Sequence, residues 1–364
     1  MKHLHILTLL AILASCGNSE RPSEGDLKKA AKITITTAAN LETDAMPQAN
    51  NVDAADDPAI WLNPADSTEA YIVGTDKKGG LAVYNLQGKT VNYYADGKMN
   101  NVDVRYGFVL AGDTIDVVSA SNRTTKGISL YKITAGGVLT KIGEDLLTQM
   151  EGEVYGYCMY QSPVDGSLYA YVNSKEGEVE QWLLTDNNGS VAGEIVRSFA
   201  LGTQTEGMVA DDANGVIFIG EEAAGIFKFG AEPSDSTEGE MIAKSAHEAN
   251  DNIEFDIEGL SIYYLPEGKG YLLASSQGNY SYAIFDRTAP HNYIGSFRIT
   301  DGIVDGVEET DGIDIFSFPL NDTFKHGLFV AQDGFNYDGE EYKAQNFKLV
   351  AWENIAKLFD LEIN

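Results

Sequence analysis

A segment of similar character returns six times along this chain, at intervals of about fifty residues. In each copy a polar or acidic residue stands at a strand-like segment, just before a small or apolar residue. The six polar residues are Asp57, Asp103, Tyr155, Glu206, Glu258 and Asp311, separated by 46, 52, 51, 52 and 53 residues. A repeat of this length matches one four-stranded blade. The chain is therefore predicted to be all-β, a six-bladed β-propeller with these residues around one axis.

Short strands dominate the segments between these positions. They are rich in β-branched and aromatic residues and are bounded by Gly, Asn or Asp, as in Val216-Ile217-Phe218-Ile219. The 37 glycines of the chain suit many tight turns. Helical periodicity is convincing only at residues 352–358. We therefore expect strands nearly everywhere else.

A polar loop follows each of the six positions after 16 to 22 residues. A nearly constant offset within each blade places all six loops at one end of the barrel. Their central residues are Lys77, Arg123, Lys175, Glu222, Gln277 and Asp333. The first three are cationic and the others are acidic or polar. We expect a cationic sector beside an anionic one on this end.

The formal net charge is −30, from 55 acidic and 25 basic residues. We expect no nucleic-acid partner, because binding a polyanion requires a basic surface. The acidic residues have two interpretations. Most form a solvated surface, and a subset can bind Ca²⁺, which takes several carboxylate and carbonyl oxygens.

The first fifteen residues are predicted to be a lipoprotein signal peptide. A basic start and an apolar run lead to Leu13-Ala14-Ser15 before Cys16, which resembles a bacterial lipobox. This pattern predicts export, cleavage before Cys16 and a lipid anchor in the outer membrane, on the periplasmic side or at the cell surface. An unlipidated signal peptide is the alternative.

The rest of the chain is expected to divide into two parts. Residues 16–45 would be a flexible tether with the start of an N-terminal strand, and residues 46–364 would be the propeller domain. The second cysteine, Cys158, lies in an apolar segment and has no partner for an intrachain disulfide once Cys16 is lipidated. We expect it to be buried and inert.

Clustered carboxylates repel one another unless they bind cations or stay protonated. Calcium suits them here, with ligands expected from Asp57, Glu206, Glu222, Asp256, Glu258, Asp305 and Asp311. Metal-bound water can attack phosphorus near neutral pH. Lys77, Arg123 and Lys175 would hold phosphate oxygens. Zinc chemistry is not favoured, because the three histidines outside the signal segment lack a suitable spacing.

Nine segments of this chain resemble the β-propeller phytases. The first is Asp-Asp-Pro-Ala-Ile-Trp at 56–61, and the others are residues 77–84, 100–106, 120–123, 153–156, 204–208, 256–260, 274–279 and 329–334. The similarity runs in order from about residue 50 to 355 and touches every blade. It implies a six-bladed propeller that needs Ca²⁺ and removes phosphates from calcium-complexed phytate, myo-inositol hexakisphosphate, by metal-activated water.

The resemblance also implies roles for single residues. Calcium ligands around the cleavage site would be Asp56, Asp57, Glu206, Glu222, Asp256, Glu258, Asp305 and Asp311. Contacts with substrate phosphates would come from Lys77, Arg123, Tyr155, Lys175, Glu176 and Gln277, which with Glu206 form the expected catalytic set. Calcium sites that stabilise the propeller would use Asp103, Asp333 and Asn336. This chain has Phe335 where the family usually has Glu, so we expect weaker or different calcium ligation there.

The sequence thus predicts a monomeric, lipid-anchored, calcium-dependent phytase that acts outside the cytoplasm. Two alternatives stay open. One is a calcium-stabilised propeller that binds a ligand or partner without turnover. The other is a calcium-dependent lactonase or esterase, against which the cationic set of Lys77, Arg123 and Lys175 argues.

Overall fold

A computed structural model describes residues 22–47, 53–66, 68–244, 250 and 252–364. The expected signal peptide and Cys16 lie outside these residues. The described strands form six antiparallel blades in chain order. The inner strand of each blade contacts the inner strands of both neighbours, and the sixth contacts the first. The ring is therefore closed, and the predicted six-bladed β-propeller is confirmed.

Each blade is built outwards from the axis in chain order. Blade 1 comprises Ala55–Leu62, Ala70–Asp76, Gly80–Asn85 and Thr90–Tyr94. Blade 2 comprises Met99–Leu110, Asp113–Asn122, Gly127–Thr134 and Val138–Lys141, with Leu146–Leu147 paired to its third strand. Blade 3 comprises Val154–Gln161, Leu168–Ser174, Glu178–Asn187 and Ser190–Ala200. Blade 4 comprises Thr205–Asp211, Val216–Glu221, Gly225–Gly230 and Glu240–Lys244. Blade 5 comprises Ile257–Tyr264, Gly270–Ser276, Ser281–Asp286 and Tyr293–Ile299. Blade 6 contains Ile313–Phe316, Leu328–Asp333 and Asn346–Ala351. A small hairpin, Tyr337–Asp338 with Glu341–Tyr342, projects from blade 6.

The N-terminal segment completes the ring. Leu41–Glu42 supplies the outer strand of blade 6, antiparallel to the last strand of the chain, and Thr36–Thr37 adds a parallel fifth strand to blade 5. Blade 6 thus combines a strand from the N-terminal segment with the last strands of the chain, and this shared blade closes the ring. The folded domain therefore begins before the boundary expected at residue 46.

The described residues include two α-helices and four short 3₁₀ turns. The turns are Ala135–Gly137, Asp212–Asn214, Pro266–Gly268 and Gln277–Asn279. The C-terminal helix, Trp352–Phe359, agrees with the predicted periodicity and buries Trp352, whose ring stacks on Tyr263 at 4.2 Å.

The N-terminal helix, Glu24–Ala30, lies in the segment expected to be a flexible tether. Ser23 caps it by accepting a hydrogen bond from the Asp26 amide, and acidic residues in its first turn and lysines in its last complement the helix dipole. Part of the expected tether is therefore regular structure.

The hydrophobic core lies between neighbouring blades. Trp61, Val73 and Val83 of blade 1, for example, pack with Val118 and Tyr131 of blade 2. Cys158 is buried in this core, as expected. Side chains on both faces of a strand are covered in this way, since a sheet face that meets another sheet excludes water.

A β-bulge interrupts the start of the inner strand in blades 1 to 5. Ala55 pairs with Asp76 but Pro58 pairs with Gly74, so two inner-strand residues oppose one residue of the second strand. The register shifts in the same way at Met99/Val102, Val154/Tyr157, Thr205/Met208 and Ile257/Leu260. The first bulge residues, with the matching residue of blade 6, are Asp56, Asn100, Tyr155, Glu206, Glu258 and Asp311.

This register corrects the repeat in the first two blades. The structural equivalents are Asp56 and Asn100, whereas the sequence pattern pointed to Asp57 and Asp103. The error arose because both chosen residues are acidic and stand one and three positions further along the same strands. The other four positions of the repeat coincide with the bulge.

Glycine follows the first bulge residue in blades 3 to 6. A Cβ on Gly207 would lie 1.8 Å from the Glu258 carbonyl oxygen, and one on Gly312 would lie 2.1 Å from Asp57 Oδ1. Only glycine lets neighbouring inner strands approach so closely. The Gly312 amide in turn donates to the Asp56 carbonyl at 2.9 Å. In blades 3 to 6 the glycine thus lets the preceding polar side chain reach the axis.

Candidate active site

The first bulge residues meet at the end of the ring where the inner strands begin, which we call the upper end. Asn100 of blade 2 donates to Glu206 Oε1 of blade 4 at 2.7 Å. Oxygens of Glu206, Glu222 and Glu258 all lie within 4.8 Å of one another. Because each second strand ends where its inner strand begins, the loops after the second strands reach this end too. The structure therefore brings repeat positions and loop residues into one site.

Lys77 occupies the junction between blades 1 and 6. Its Nζ lies 2.7 Å from Asp311 Oδ2, 2.9 Å from Asp53 Oδ1 and 3.3 Å from Asp56 Oδ1. Burial acts to lower the pKa of Lys77, but the neighbouring carboxylates raise it well above its usual value. Gln277 Nε2 donates to the other Asp311 oxygen at 2.7 Å. Lys77 is therefore a permanent cation that holds the carboxylates of two blades.

Glu206, Glu222 and Glu258 form the glutamate trio, and all three are buried. Burial, with Glu206 and Asp256 nearby, raises the pKa of Glu222 to about 7, although the Gln204 amide opposes this by donating to Glu222 at 2.6 Å. Burial and the neighbouring Glu206 raise the pKa of Glu258 well above its usual value. These carboxylates are crowded acids whose charges repel one another.

Two buried oxygens at the site lack a hydrogen-bond partner among the described residues, Glu258 Oε2 and Asp56 Oδ2. Buried carboxylate oxygens are normally satisfied, and an unsatisfied one calls for an ion or water. An all-oxygen donor set with several carboxylates suits a hard divalent cation. The trio with Asp56 is therefore a fit for a metal ion, and half-buried Asp256 lies near enough to Glu222 to act on its pKa.

A cationic sector adjoins the trio on blades 2 and 3. Lys175 Nζ lies 4.5 Å from the centre of the Tyr155 ring, and the Arg123 guanidinium carbon lies 5.8 Å from it. Arg123 also pairs with Glu153 and donates to Asn100 Oδ1 at 3.3 Å. Glu176 is exposed beside them and accepts from the Glu153 amide at 3.2 Å.

Tyr155 lies between the cationic sector and the carboxylates. Burial and the nearby Glu206 raise the pKa of Tyr155 far above its usual value. The phenol therefore keeps its proton at every physiological pH and can donate a hydrogen bond. Among the six positions that the sequence repeat selected, Tyr155 is the one that is not acidic, and it is the one that lies beside the cationic sector.

Asp57 and Asp103 do not join the trio. Asp57 Oδ2 accepts from the Val102 amide at 2.9 Å, while Asp103 pairs with Arg105 at 2.8 Å and accepts from the Met159 amide at 2.7 Å. Both line a cavity of about 160 Å³ in the central channel, together with Asp314. Asp103 is therefore neutralised by an arginine of its own strand, which sequence reasoning did not consider.

Asp305 also lies apart from the trio, which corrects its expected place at the cleavage site. The fully buried Lys348 gathers it with Glu42 and Asp333, at 2.6 Å from Glu42 Oε2 and 3.1 Å from Asp333 Oδ2. The Tyr337 amide donates to Asp305 at 2.6 Å. The loop before blade 6 thus turns Asp305 towards the outer strands, although it stands only six positions before Asp311.

Asp333 and Asn336, expected in a stabilising calcium site, lie near Lys348 and the blade 6 hairpin. Burial raises the pKa of Asp333 to about 6, against the opposing effect of Lys348. The Asn336 amide donates to the Ala344 carbonyl at 2.6 Å, and Phe335 is buried beside the Tyr342 ring. Lys348 already supplies one cation to these acids.

Sequence reasoning missed three residues of the site. Asn100 occupies the axial position of blade 2, Asp53 pairs with Lys77, and Gln204 donates to Glu222. Asn100 and Gln204 begin two of the recognised segments, 100–106 and 204–208, so their places next to the repeat positions were the available signal. Asp53 has no such signal, because its role depends on the path of the chain before blade 1.

The fold and the site define a class, a closed β-propeller whose axial carboxylates stand beside lysine and arginine. The family model described as Phytase matches residues 3–364. The chain is 46% identical over 326 residues to a 3-phytase of Bacillus subtilis (strain 168), which covers 88% of this chain and 84% of that relative. The chain therefore belongs to the phytase family, and it is a hydrolase of the phytase type.

Among solved structures, the β-propeller domain of Cps50 (Swd1) from Myceliophteria thermophila is similar to this chain. The superposition covers 82% of this chain and 83% of the Cps50 chain, with 11% sequence identity and a TM-score of 0.43. No helix within the described ranges is long and apolar enough to cross a membrane.

Proposed function

We propose that this protein is a calcium-dependent phytase that hydrolyses the phosphomonoesters of myo-inositol hexakisphosphate, taken up as its calcium complex, and releases inorganic phosphate. The glutamate trio, with its oxygens within 4.8 Å, carries the proposal because it stands beside the cationic sector. A phosphate ester needs both kinds of group, since cations must hold its oxygens and a hard metal ion needs carboxylates. The 3-phytase relative supports the substrate.

The trio and Asp56 would hold the calcium, with Asp311 and Asp256 at its margins. When bound, Ca²⁺ supplies charge that polarises a phosphate group and activates water. The residues of the chain prepare the site for it. Burial raises the pKa values of Asp56 and Asp311, and Lys77 opposes that rise and holds both carboxyl groups in place. Asn100 orients Glu206 through a 2.7 Å hydrogen bond.

Lys175, Arg123 and Tyr155 would hold the reacting phosphate. The two cations offset the charge that develops on the phosphate oxygens, and the neutral phenol adds one donor. Arg123 is partly engaged by Glu153, so a phosphate would compete with that carboxylate for the guanidinium. Gln277 would donate a hydrogen bond to the ester, whereas the Glu176 carboxylate could only accept one from a protonated phosphate oxygen.

Phosphate release from calcium phytate tests the proposal. We expect release that depends on added calcium, stops in excess chelator and falls at least about a hundredfold in Glu206→Gln and Arg123→Ala, as expected for groups that stabilise transition-state charge. Glu240→Gln, on the exposed outer strand of blade 4, is the matched control and should keep full activity. Full activity in excess chelator contradicts the proposal. Calcium-dependent melting without phosphate release indicates a binding module, and turnover of uncharged esters indicates a lactonase or esterase.

We also propose that the protein is exported, anchored through a lipid on Cys16 to the outer membrane, and monomeric. The lipobox-like segment before Cys16 supports the anchor. Labelling with a radioactive fatty acid should mark the wild-type chain and not Cys16→Ser. Light scattering of the detergent-solubilised chain should give the mass of one copy.

A further inference from the structure

Asn100, the axial residue of blade 2, is fully buried, and its side-chain amide has three printed contacts with other side chains. Nδ2 donates to Glu206 Oε1 at 2.7 Å and to Asn101 Oδ1 at 2.9 Å, while Oδ1 accepts from Arg123 Nη1 at 3.3 Å. One amide therefore touches a proposed calcium ligand with its nitrogen and a proposed phosphate ligand with its oxygen.

The two ends of this amide cannot exchange places. A guanidinium only donates hydrogen bonds, so it requires the amide oxygen, and a carboxylate only accepts them, so it requires the amide nitrogen. Turning the amide over would set donor against donor at Arg123 and acceptor against acceptor at Glu206. The contact with either partner therefore fixes the orientation that the other partner needs.

The backbone of Asn100 is held as well as its side chain. Its carbonyl accepts a hydrogen bond from Thr75 Oγ1 at 2.5 Å, and the same hydroxyl accepts one from the Asp57 amide at 2.8 Å. Thr75 is fully buried. Because blade 1 holds its backbone in this way, Asn100 cannot easily follow a shift in one side-chain partner without weakening its contact with the other.

Arg123 can change its anionic partner without releasing Asn100. Glu153 contacts the edge of the guanidinium that carries Nε and Nη2, at 2.5 Å from Nε, whereas Asn100 contacts Nη1. The Nε and Nη2 groups point the same way and can donate to two oxygens of one phosphate. A phosphate that displaces Glu153 from this edge therefore leaves the contact with Asn100 in place.

We propose that Asn100 is a positioning residue that couples phosphate binding at Arg123 to calcium binding at Glu206. The proposal rests on the proposed function and adds a direct link between the cationic sector and the glutamate trio. A held guanidinium fixes the Asn100 oxygen, and the Asn100 nitrogen then keeps Glu206 in one orientation. Loss of a hydrogen-bond partner behind a metal ligand lowers metal affinity by about ten- to a hundredfold.

Charge alone predicts the opposite effect of Arg123 on calcium. A guanidinium repels a divalent cation, so its removal should tighten calcium binding. Positioning through Asn100 predicts that its removal weakens calcium binding, because the amide loses the partner that fixes its oxygen. The sign of the change in calcium affinity therefore separates the two effects.

Calorimetric titration of the metal-free protein with calcium, without substrate, tests the coupling. The binding step that disappears in Glu206→Gln is the one to follow. We expect Asn100→Ala to weaken this step about tenfold or more. Arg123→Ala should weaken it about threefold, a coupling typical of residues in one hydrogen-bond network. Added to Asn100→Ala, it should cause no further loss, because the amide that transmits its effect is gone.

Asn346→Ala is the matched control. Asn346 is a buried amide whose oxygen accepts from Lys348 at 3.2 Å and whose nitrogen donates to Glu42 at 3.1 Å. It thus also links a cation to a glutamate, but in the outer half of blade 6. Asn346→Ala should lower the melting temperature and leave the Glu206-dependent calcium step at wild-type affinity.

Every other result decides against the coupling. Wild-type calcium affinity in Asn100→Ala overturns it, and so does an equal loss from Arg123→Ala with and without Asn100. Weakening of the same step in Asn346→Ala assigns the effect to general stability and overturns it too. If Asn100→Ala does not fold, Arg123→Ala alone decides, because unchanged or tighter calcium binding contradicts the proposal. If no step depends on Glu206, the proposed calcium site fails together with the coupling, whereas a step that is equal in all variants contradicts the coupling alone.

Discussion

Lys77 Nζ lies 2.7 Å from Asp311 Oδ2, a contact between residues 234 positions apart that joins the first blade to the last. The backbone adds a second link at the same junction, where the Gly312 amide donates to the Asp56 carbonyl. The chain itself also crosses this junction, because it runs from Leu41–Glu42 in blade 6 to the inner strand of blade 1. The Lys77 ammonium thus joins blades 1 and 6 and also places a positive charge among the carboxyl groups of the site.

Lys77→Met should therefore destabilise the metal-free protein by about 3 to 5 kcal/mol, as expected when one partner of a buried ion pair is lost. The Asp311 and Asp56 carboxylates would remain buried without their cation. Calcium should recover part of the loss, because it replaces the missing positive charge. Urea unfolding with chelator and with calcium measures both effects.

Lys78→Met is the control for this prediction. Lys78 pairs with Asp53, but its side chain is 40% exposed against 15% for Lys77. Lys78→Met should therefore lower the free energy of unfolding far less than Lys77→Met does. Equal losses for both variants would show that the junction does not depend on the buried ammonium.

The raised carboxyl pKa values predict how stability depends on pH. Glu222 has a pKa of about 7 in the folded protein, against an ordinary value of 4.5, because of burial and its acidic neighbours. The folded state therefore binds the proton more tightly than the unfolded state. Its contribution to stability is complete below about pH 4.5 and is lost as pH rises through about 7.

Metal-free protein should accordingly lose melting temperature between pH 5 and 8, and Glu222→Gln should flatten that slope. Saturating calcium should reverse the trend, because the trio must lose its protons to bind a cation and calcium affinity rises with pH. Calorimetric scans in chelator and in calcium check the two slopes. Parallel slopes in the two conditions would be incompatible with a cation at the trio.

The fold could be predicted from the sequence because the same series of short strands returns at intervals of about fifty residues. The axial residues could be predicted only where glycine follows, as at Tyr155, Glu206, Glu258 and Asp311. In blades 1 and 2 no such glycine occurs, and the sequence pattern pointed to residues one and three positions beyond the first bulge residue. A bulge is set by contacts between blades, which a strand pattern does not contain.

Asp305 and the N-terminal helix show the same limit in different ways. Asp305 belongs to a loop whose direction depends on Lys348, a residue of the last strand. The helix did have a local signal, since Ser23 and Asp26 form a capping pair three residues apart. The polar composition of the segment outweighed that signal. Its docking on blade 5 could not be predicted, because it depends on a surface assembled from distant strands.

The close approach of the inner strands predicts that Gly207→Ala damages the site. Its Cβ would lie 1.8 Å from the Glu258 carbonyl oxygen, so blades 4 and 5 must separate. We expect a loss of about 1 to 3 kcal/mol from overpacking, with lower activity because Glu206 and Glu258 shift apart. Gly25→Ala is the control, since its nearest contact is an ordinary 3.5 Å, and it should be neutral or slightly stabilising. Wild-type activity in Gly207→Ala would mean that the trio tolerates blade movement.

The lower end of the ring offers a test of stability that leaves the site untouched. Asp211 ends the inner strand of blade 4 and accepts two hydrogen bonds from Arg287, at 2.7 Å and 2.6 Å, with both side chains almost fully buried. Arg287 also lies 4.6 Å from the Tyr264 ring. The pair ties blade 4 to blade 5 away from the trio.

Arg287→Met should cost about 3 to 5 kcal/mol of unfolding free energy, because Asp211 would stay buried without its cation. Activity per folded molecule should not change, since the site lies at the other end of the strand. Adding Asp211→Leu should recover most of the loss, because two apolar side chains replace a pair that must be desolvated. Lys269→Met removes an exposed partner of Glu362 at 3.5 Å and should leave stability unchanged. Urea unfolding of the wild type, Arg287→Met, the double variant and Lys269→Met measures these free energies. A double variant no more stable than Arg287→Met would contradict the prediction, because the loss would then not come from the unpaired charge of Asp211.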